Sequence, residues 1–380
     1  MKNEQDINMD WLDKEIEKCG YFNFLFVNKK ELVLFGASGI ARDFIGYWKG
    51  KDKECPVKYI IDNDVSKMGM CIDDIPIISY ESFEQREKEN VKVLLTGRKI
   101  YQTYCDTVRC GINKEDIWFP NSSYVVKGDF MDIDWIVGNP VYSRMLDIYF
   151  SKDSIKETYM LLGDEESREV FKAVIRFRLT LNPVNIMESC HCTNSNYFES
   201  APFDLERDEN FVDIGALRGD STLEFLHKCQ NEYQHIYVIE PDETGLCKAM
   251  DSIFTLENLE KVSYYHLAIS NYCGLTAFDG SVLGEGRKLV RTMKLDTLFD
   301  KKRISLIKMD IEGQERNALN GSAELLKNQK PKLCICVYHH SDDLWLIPQL
   351  IKRINNQYKI YIRQDSPGVY GDVQTVCYAY

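Results

Sequence analysis

Two stretches of this chain hold residue types and spacings that could do chemistry. The first, NFVDIGALRGDST (Asn210 to Thr222), places an acid, Asp213, ahead of two glycines, Gly215 and Gly219, and follows them with Asp220 and Ser221. The apolar run before the acid reads as a strand, and a helix opens after the second glycine. Glycines there let the backbone approach a ligand closely. Asp220 and Ser221 are both good helix caps, and the positive end of that helix favours a carboxylate or a phosphate.

Spacing separates the candidate ligands. A dinucleotide site wants G-x-G-x-x-G directly after the strand, whereas here an acid precedes the glycines and the gap between them is wider. Such an acid accepts from an amine, which suits an amino-acid-like ligand better than a pyrophosphate. Glu240 ends the next strand in VIEP, where an acid can grip the two hydroxyls of a ribose. An amino acid joined to a nucleoside is S-adenosylmethionine. Singly, each motif is equally a structural turn or a strand end; in this order and at this spacing they point to one ligand.

The second stretch is SLIKMDIEGQE, in which Lys308, Asp310 and Glu312 share one face of an apolar strand at period two. Burying three charges is costly unless they pair or act on a ligand. The plainer reading is an ion pair, Lys308 with Glu312 or with Asp310, that stiffens the strand end. The functional reading sets Asp310 and Glu312 at the mouth of a cleft. His339 and His340 follow the strand KLCICVY and should reach the same rim, so one of them, or Asp310, is the candidate base.

Elements able to position these groups alternate along the chain. From Glu31 to about Pro120 the runs ELVLFG, VKYIIDND, IPIIS, VKVLLTG and DIWFPN read as strands, with the helix IARDFIGYWKG after the first. A region with helical spacing follows. From Asn210 a second series runs through FVDIG, HIYVIEP, VSYYHLAIS, ISLIKMDIEG, KLCICVYHH, YKIYIRQ and QTVCYAY, and no helix separates the last two. The expected fold is therefore α/β: residues 1–125 a Rossmann-like domain for a nucleotide, a nucleotide sugar or an interaction, 126–207 a helical connector, and 208–380 an open sheet ending in an antiparallel pair. In the first domain Gly36-x-x-Gly39-x-Ala41 and Asp62 form an incomplete dinucleotide turn. That domain looks similar to small ones found at the N-termini of sugar-modifying enzymes.

Composition narrows the class. A net charge of −12 argues against nucleic-acid binding. No apolar stretch approaches the ~20 residues of a membrane span, and the polar, acidic start is unlike a signal peptide, so a cytoplasmic location is expected. Thirteen cysteines at irregular spacings fit reduced thiols. Cys334 and Cys336 read as small core residues, and Cys190-His191-Cys192 cannot close on one ion without an irregular loop. A homo-oligomer is compatible with all of this.

FVDIGALRGDST, YVIEPD, HLAISNYCG, TMKLDTL, LIKMDIEGQERNALNGSAELL, PKLCICVYHHSDDLWLIP and TVCYAY together resemble the FkbM-type methyltransferases over roughly Tyr197 to Tyr380. The resemblance implies a class I methyltransferase fold that uses S-adenosylmethionine on a hydroxyl of a sugar, glycan or related metabolite. It implies that Asp213, Gly215 and Gly219 line the methionine moiety, Glu240 holds the ribose, and Ala268 and Ser270 lie near the adenine. Leu217 and Arg218 depart from the small, polar residues usual in that turn. Such enzymes divide into metal-dependent and metal-free kinds; the metal-free kind is expected, the alternative being a divalent ion on Asp310, Glu312 and a histidine. The competing functions are a nicotinamide-dependent nucleotide-sugar oxidoreductase or epimerase working from the first domain, and a non-catalytic scaffold of glycan assembly.

Overall fold

The computed structural model describes residues 10–27, 29–97, 100–118, 141–180, 184–187, 189, 197–254, 259–278, 288–365 and 374–380. The chain forms two compact units: one built from residues up to Lys156 together with Ala173–Asn185, the other from Glu157–Lys172 and from Ile186 onward. The CHC run and residues 366–373, between the last two strands, lie outside the described residues. Among the described residues no helix is long and apolar enough to cross a membrane.

In the first unit, β1 (Glu31–Phe35), β2 (Val57–Asp62), β3 (Cys71–Ile72), β4 (Ile75–Ser79), β5 (Val91–Leu95) and β6 (Ile117–Trp118) form one sheet in the order β3-β4-β2-β1-β5-β6. All neighbours are parallel except β3 with β4. Its central strands are continuous apolar runs because helices cover a parallel sheet on both faces. Lys92 on β5 is a buried exception, and its ammonium donates to the carbonyls of Phe24 and Leu25.

The second unit carries a seven-stranded sheet of β7 (Asn210–Ile214), β8 (His235–Ile239), β9 (Val262–Tyr265), β13 (Leu306–Met309), β14 (Lys332–Cys336), β15 (Ile360–Gln364) and β16 (Thr375–Ala379). Their order is β15-β16-β14-β13-β7-β8-β9, with β16 antiparallel to both of its neighbours and the rest parallel. Strand order reverses at β7, whose neighbours are β8 and β13. The crevice beyond the carboxyl ends of those strands is where an open α/β sheet binds its ligand. Phe211 stacks on Phe225 of the helix Asp220–Lys228 at 4.5 Å, and Phe198 closes edge-on over both, pinning that helix beneath the crevice. Cys334, Cys336 and Cys377 are buried in this core as free thiols.

A separate three-stranded sheet was not legible. VSYYHLAIS reads as one strand, but the chain leaves the sheet edge after β9, and β10 (Ala268–Ile269) pairs instead with β12 (Lys288–Met293), which in turn pairs with β11 (Gly274–Phe278). Leu275 and Leu289 stand on the exposed face of this hairpin. They blur the alternation of apolar and polar residues that betrays a half-buried strand.

Gly321 follows the helix Glu315–Asn320 and touches the backbone just after β10. A Cβ there would lie 2.1 Å from the Ser270 carbonyl oxygen. Gly321→Ala should therefore destabilise the protein by about 1–3 kcal/mol through overpacking, read as a lower urea midpoint. Gly46→Ala, inside the helix Gly39–Gly50 with open space around the glycine, should leave the midpoint at or above that of wild type.

Candidate active site

The site is assembled around a charge pair. Lys308 on β13 faces Asp213 on β7 across the parallel ladder, with 3.1 Å between ammonium and carboxylate and both side chains shielded from solvent. The other Asp213 oxygen accepts from the hydroxyls of Ser221 (2.6 Å) and Thr222 (2.7 Å). Lys308 also donates to the carbonyl of Gly215 at 2.8 Å. Burial pushes the Lys308 pKa down, but Asp213 and Asp310 outweigh it and hold the ammonium above its ordinary range. Strand, loop and helix are thus tied to one buried cation. Lys308 pairs neither with Glu312 nor with Asp310 by direct contact, as the sequence suggested, because the strand ends at Met309 and Asp213 lies opposite.

The loop held by this pair turns sharply. Gly215 has φ +76°, and a Cβ there would come 1.9 Å from the Asp310 carbonyl oxygen, so only glycine fits. Leu217 and Gly219 are also left-handed. Gly219 is itself the helix cap, without a side-chain bond, and packs on Ala249. Asp220 is the first, exposed residue of the helix, and Ser221 spends its hydroxyl on Asp213, so neither caps it as expected.

A cavity of about 550 Å³ opens at this crevice. Gly215, Glu240, Ala268, Ser270, Asp310 and Glu312 line it, which unites six of the residues singled out in the sequence. Asp213, Lys308, Gly219, Asp220, Ser221 and His339 are not on its wall. The correction matters most for Asp213, which supports the loop from beneath because Lys308 and two hydroxyls already occupy its carboxylate. Glu240 accepts from the backbone N–H of Leu217 and of Asp242, both at 2.8 Å. Burial raises its pKa, opposed by those N–H groups and by Lys308. Each carboxylate oxygen retains a lone pair for a hydroxyl donor.

Beyond β13 the chain makes two successive left-handed residues, Glu312 (φ +54°) and Gly313 (φ +90°). The turn sorts the carboxylates. Asp310 accepts from the phenols of Tyr197 (2.8 Å) and Tyr338 (2.9 Å), one on each oxygen. Burial raises its pKa, but Lys308, His339 and the two phenols together hold it below the ordinary range. Glu312 is held above that range by burial and by repulsion from Asp310 and Glu315, with His339 opposing. Most of its side chain is nevertheless open to solvent.

His339 sits between acids. Nδ1 lies 2.9 Å from Glu315, while Nε2 lies 3.3 Å from Asp310 and 3.6 Å from Glu312. Burial lowers its pKa, but Glu315 and the other carboxylates raise it to about 9. It is therefore an imidazolium at neutral pH and has no lone pair with which to act as a base. Asp310, Glu315 and His339 come close enough to hold an ion, replacing the set Asp310, Glu312 and histidine read from the sequence. The two ring nitrogens face different acids, and the imidazolium supplies a positive charge among them. His340, expected on the same rim, is exposed and turns its Nε2 to the Gly313 carbonyl at 2.9 Å.

Tyr197, Tyr338, Glu315, Phe278 and Thr292 were missed. Glu315 had a signal, four residues after Ile311, whose N–H it accepts at 2.8 Å. Tyr197 reaches Asp310 from more than a hundred positions away and had none. In the first unit, both Asp62 oxygens are engaged, by the N–H groups of Ala37 and Asp64 and by Lys67. The loops after β1 and β5 also meet there, since a Cβ on Gly36 would sit 2.3 Å from Gly97. Gly36 and Asp62, two of the residues read as a nucleotide turn, thus make these contacts within the first unit.

Residues 213–358 match a sequence profile described as Methyltransferase FkbM domain. The crystal structure of a methyltransferase FkbM from Methylobacillus flagellatus KT is similar to this chain at 20% identity, with 98% of this chain and all of that one covered and a TM-score of 0.59. A SAM-dependent methyltransferase from Aquifex aeolicus aligns at 11% identity over 60% of this chain and 96% of its own, with a TM-score of 0.28. Aeropyrum pernix fibrillarin with natively bound S-adenosyl-L-methionine aligns at 8% over 46% and 69%, with a TM-score of 0.29. No curated protein matches the chain.

Two outcomes are expected. Lys308→Met strands a buried carboxylate and should cost about 3–5 kcal/mol in chemical denaturation. The His339 pKa is raised on folding, from 6.5 to about 9. Its contribution is therefore complete below pH 6.5 and lost as pH rises through 9, so the stability gap between wild type and His339→Gln should shrink over that interval.

Proposed function

With a methyltransferase FkbM domain over residues 213–358, the chain is an S-adenosylmethionine-dependent methyltransferase, and we propose that its acceptor is a hydroxyl of a sugar, glycan or related polyhydroxylated compound. One observation carries the reading. A single cavity joins the Gly215 loop, Glu240 and the Ala268–Ser270 segment, and it continues to Glu312, Gln314 and Asn317. The first group suits the donor: a tight loop for the aminoacyl tail, a carboxylate for the ribose, a small-residue segment for the base. The second is a cluster of carboxylate and amide groups, which suits an acceptor rich in hydroxyls.

When held by the Gly215 loop, Glu240 and the Ala268–Ser270 segment, the donor would supply an activated methyl group for the acceptor oxygen. The protein's work is then alignment, worth up to ~7–11 kcal/mol, and removal of one proton. Among the groups at this rim, Glu312 fits the base. Its pKa is raised and its side chain is open at the cavity, whereas Asp310 is engaged by two phenols and His339 is already charged. Asp310 and the imidazolium of His339 are positioning groups that hold the turn bearing Glu312. A divalent ion has no part in this scheme.

Glu240→Ala should abolish measurable S-adenosylmethionine binding by calorimetry while the fold is kept; unchanged affinity would remove the donor assignment. Glu312→Gln should bind the donor normally yet lower kcat by about 10²–10⁴-fold on an accepted sugar, found by screening radiolabelled methyl transfer across nucleotide sugars and glycans.

A further inference from the structure

The wall of the cavity formed by the three-stranded sheet contains a polar group that the scheme above leaves idle. Thr292 on β12 is fully buried, it lines the cavity, and its hydroxyl has no hydrogen-bond partner among the described residues. A buried hydroxyl left unpaired is a cost that folding normally avoids. Beside a binding cavity, such a hydroxyl marks a contact that a ligand can complete.

The register shows which part of the ligand it meets. Thr292 pairs with Ala268 on one side and Gly274 on the other. Ala268 begins the segment just beyond β9, and β9 lies next to β8, the strand that delivers Glu240. If Glu240 holds the ribose, the base attached to that ribose extends past Leu267 and Ala268 and lies beside β12. The surroundings agree. Phe278, half-buried on β11, and Ile269 offer flat and apolar surface to a ring. Ser270, the neighbouring hydroxyl, is turned toward the Asn271 side chain at 3.4 Å.

We propose that Thr292 reads the purine edge of the donor, its hydroxyl hydrogen-bonding to a nitrogen of the adenine, so that the β11–β12 hairpin sets base specificity. This rests on the donor assignment proposed above. The hydroxyl can accept from the exocyclic amine or donate to a ring nitrogen, and the test separates these cases.

Binding of S-adenosylhomocysteine would be measured by calorimetry beside four analogues lacking in turn the exocyclic amine, N1, N3 and N7. Wild type should bind one analogue about five- to tenfold more weakly than the parent. The isosteric Thr292→Val should bind the parent weakly by the same factor and no longer distinguish it from that analogue, and Thr292→Ser should restore the distinction. Thr292→Ala serves if the valine variant fails to fold. A penalty that persists unchanged without the hydroxyl, or a wild type that binds all five alike, overturns the proposal while sparing the donor assignment. A wild type that binds none of them overturns both.

Discussion

The Lys308–Asp213 pair is the constraint on which the second unit depends. Two opposite charges removed from water are a poor source of stability, since desolvation consumes most of their attraction. What they supply is registry. The ammonium sits between two adjacent strands and bonds the carbonyl of the first loop residue, while the carboxylate gathers two hydroxyls from the helix that follows. Any slip of β13 against β7 would strand both charges. The glycine at the turn then has one place to go, beneath the Asp310 carbonyl, and the cavity inherits its shape from that.

The same economy governs the far side of the cavity. Three acids follow β13 within six residues, and without compensation they would repel one another. The fold separates them by partner: phenols for Asp310, a backbone N–H for Glu315, open cavity for Glu312, with one imidazolium among them. The left-handed backbone at Glu312 and Gly313 makes this sorting geometrically possible. Backbone held in a sparsely populated region is kept where the surroundings over-determine it, often beside a site.

What could be read beforehand follows from the range of the interactions. Most strands and the antiparallel end of the main sheet were legible because buried parallel strands are continuous apolar runs, and because the last pair lacks a helix between them. Gly215, Glu240, Asp310 and Glu312 were legible as cavity residues because each lies just beyond the carboxyl end of a strand, while Ala268 and Ser270 were reached through the family resemblance. Asp213 and Lys308 stood out as charges in apolar surroundings, but which carboxylate met the ammonium depended on strand pairing, a long-range fact. The same limit hid Tyr197 and Tyr338. The small sheet was hidden for a different reason: exposed leucines erased its alternation, and Thr292 vanished with it.

Burial has also sorted the cysteines by reactivity. The thiols of Cys334, Cys336 and Cys377 lie inside the sheet, where burial lifts their pKa well above the usual thiol range, while Cys71, Cys247 and Cys273 stand in solvent. The thiolate is the reactive form, so oxidants and alkylating reagents meet two extremes of sulfur in one molecule, with half-buried thiols between them. Surface thiols are modified promptly; core thiols react only when the central strands part. Mass-resolved labelling of Cys334 and Cys336 therefore clocks global opening of this sheet with no added probe.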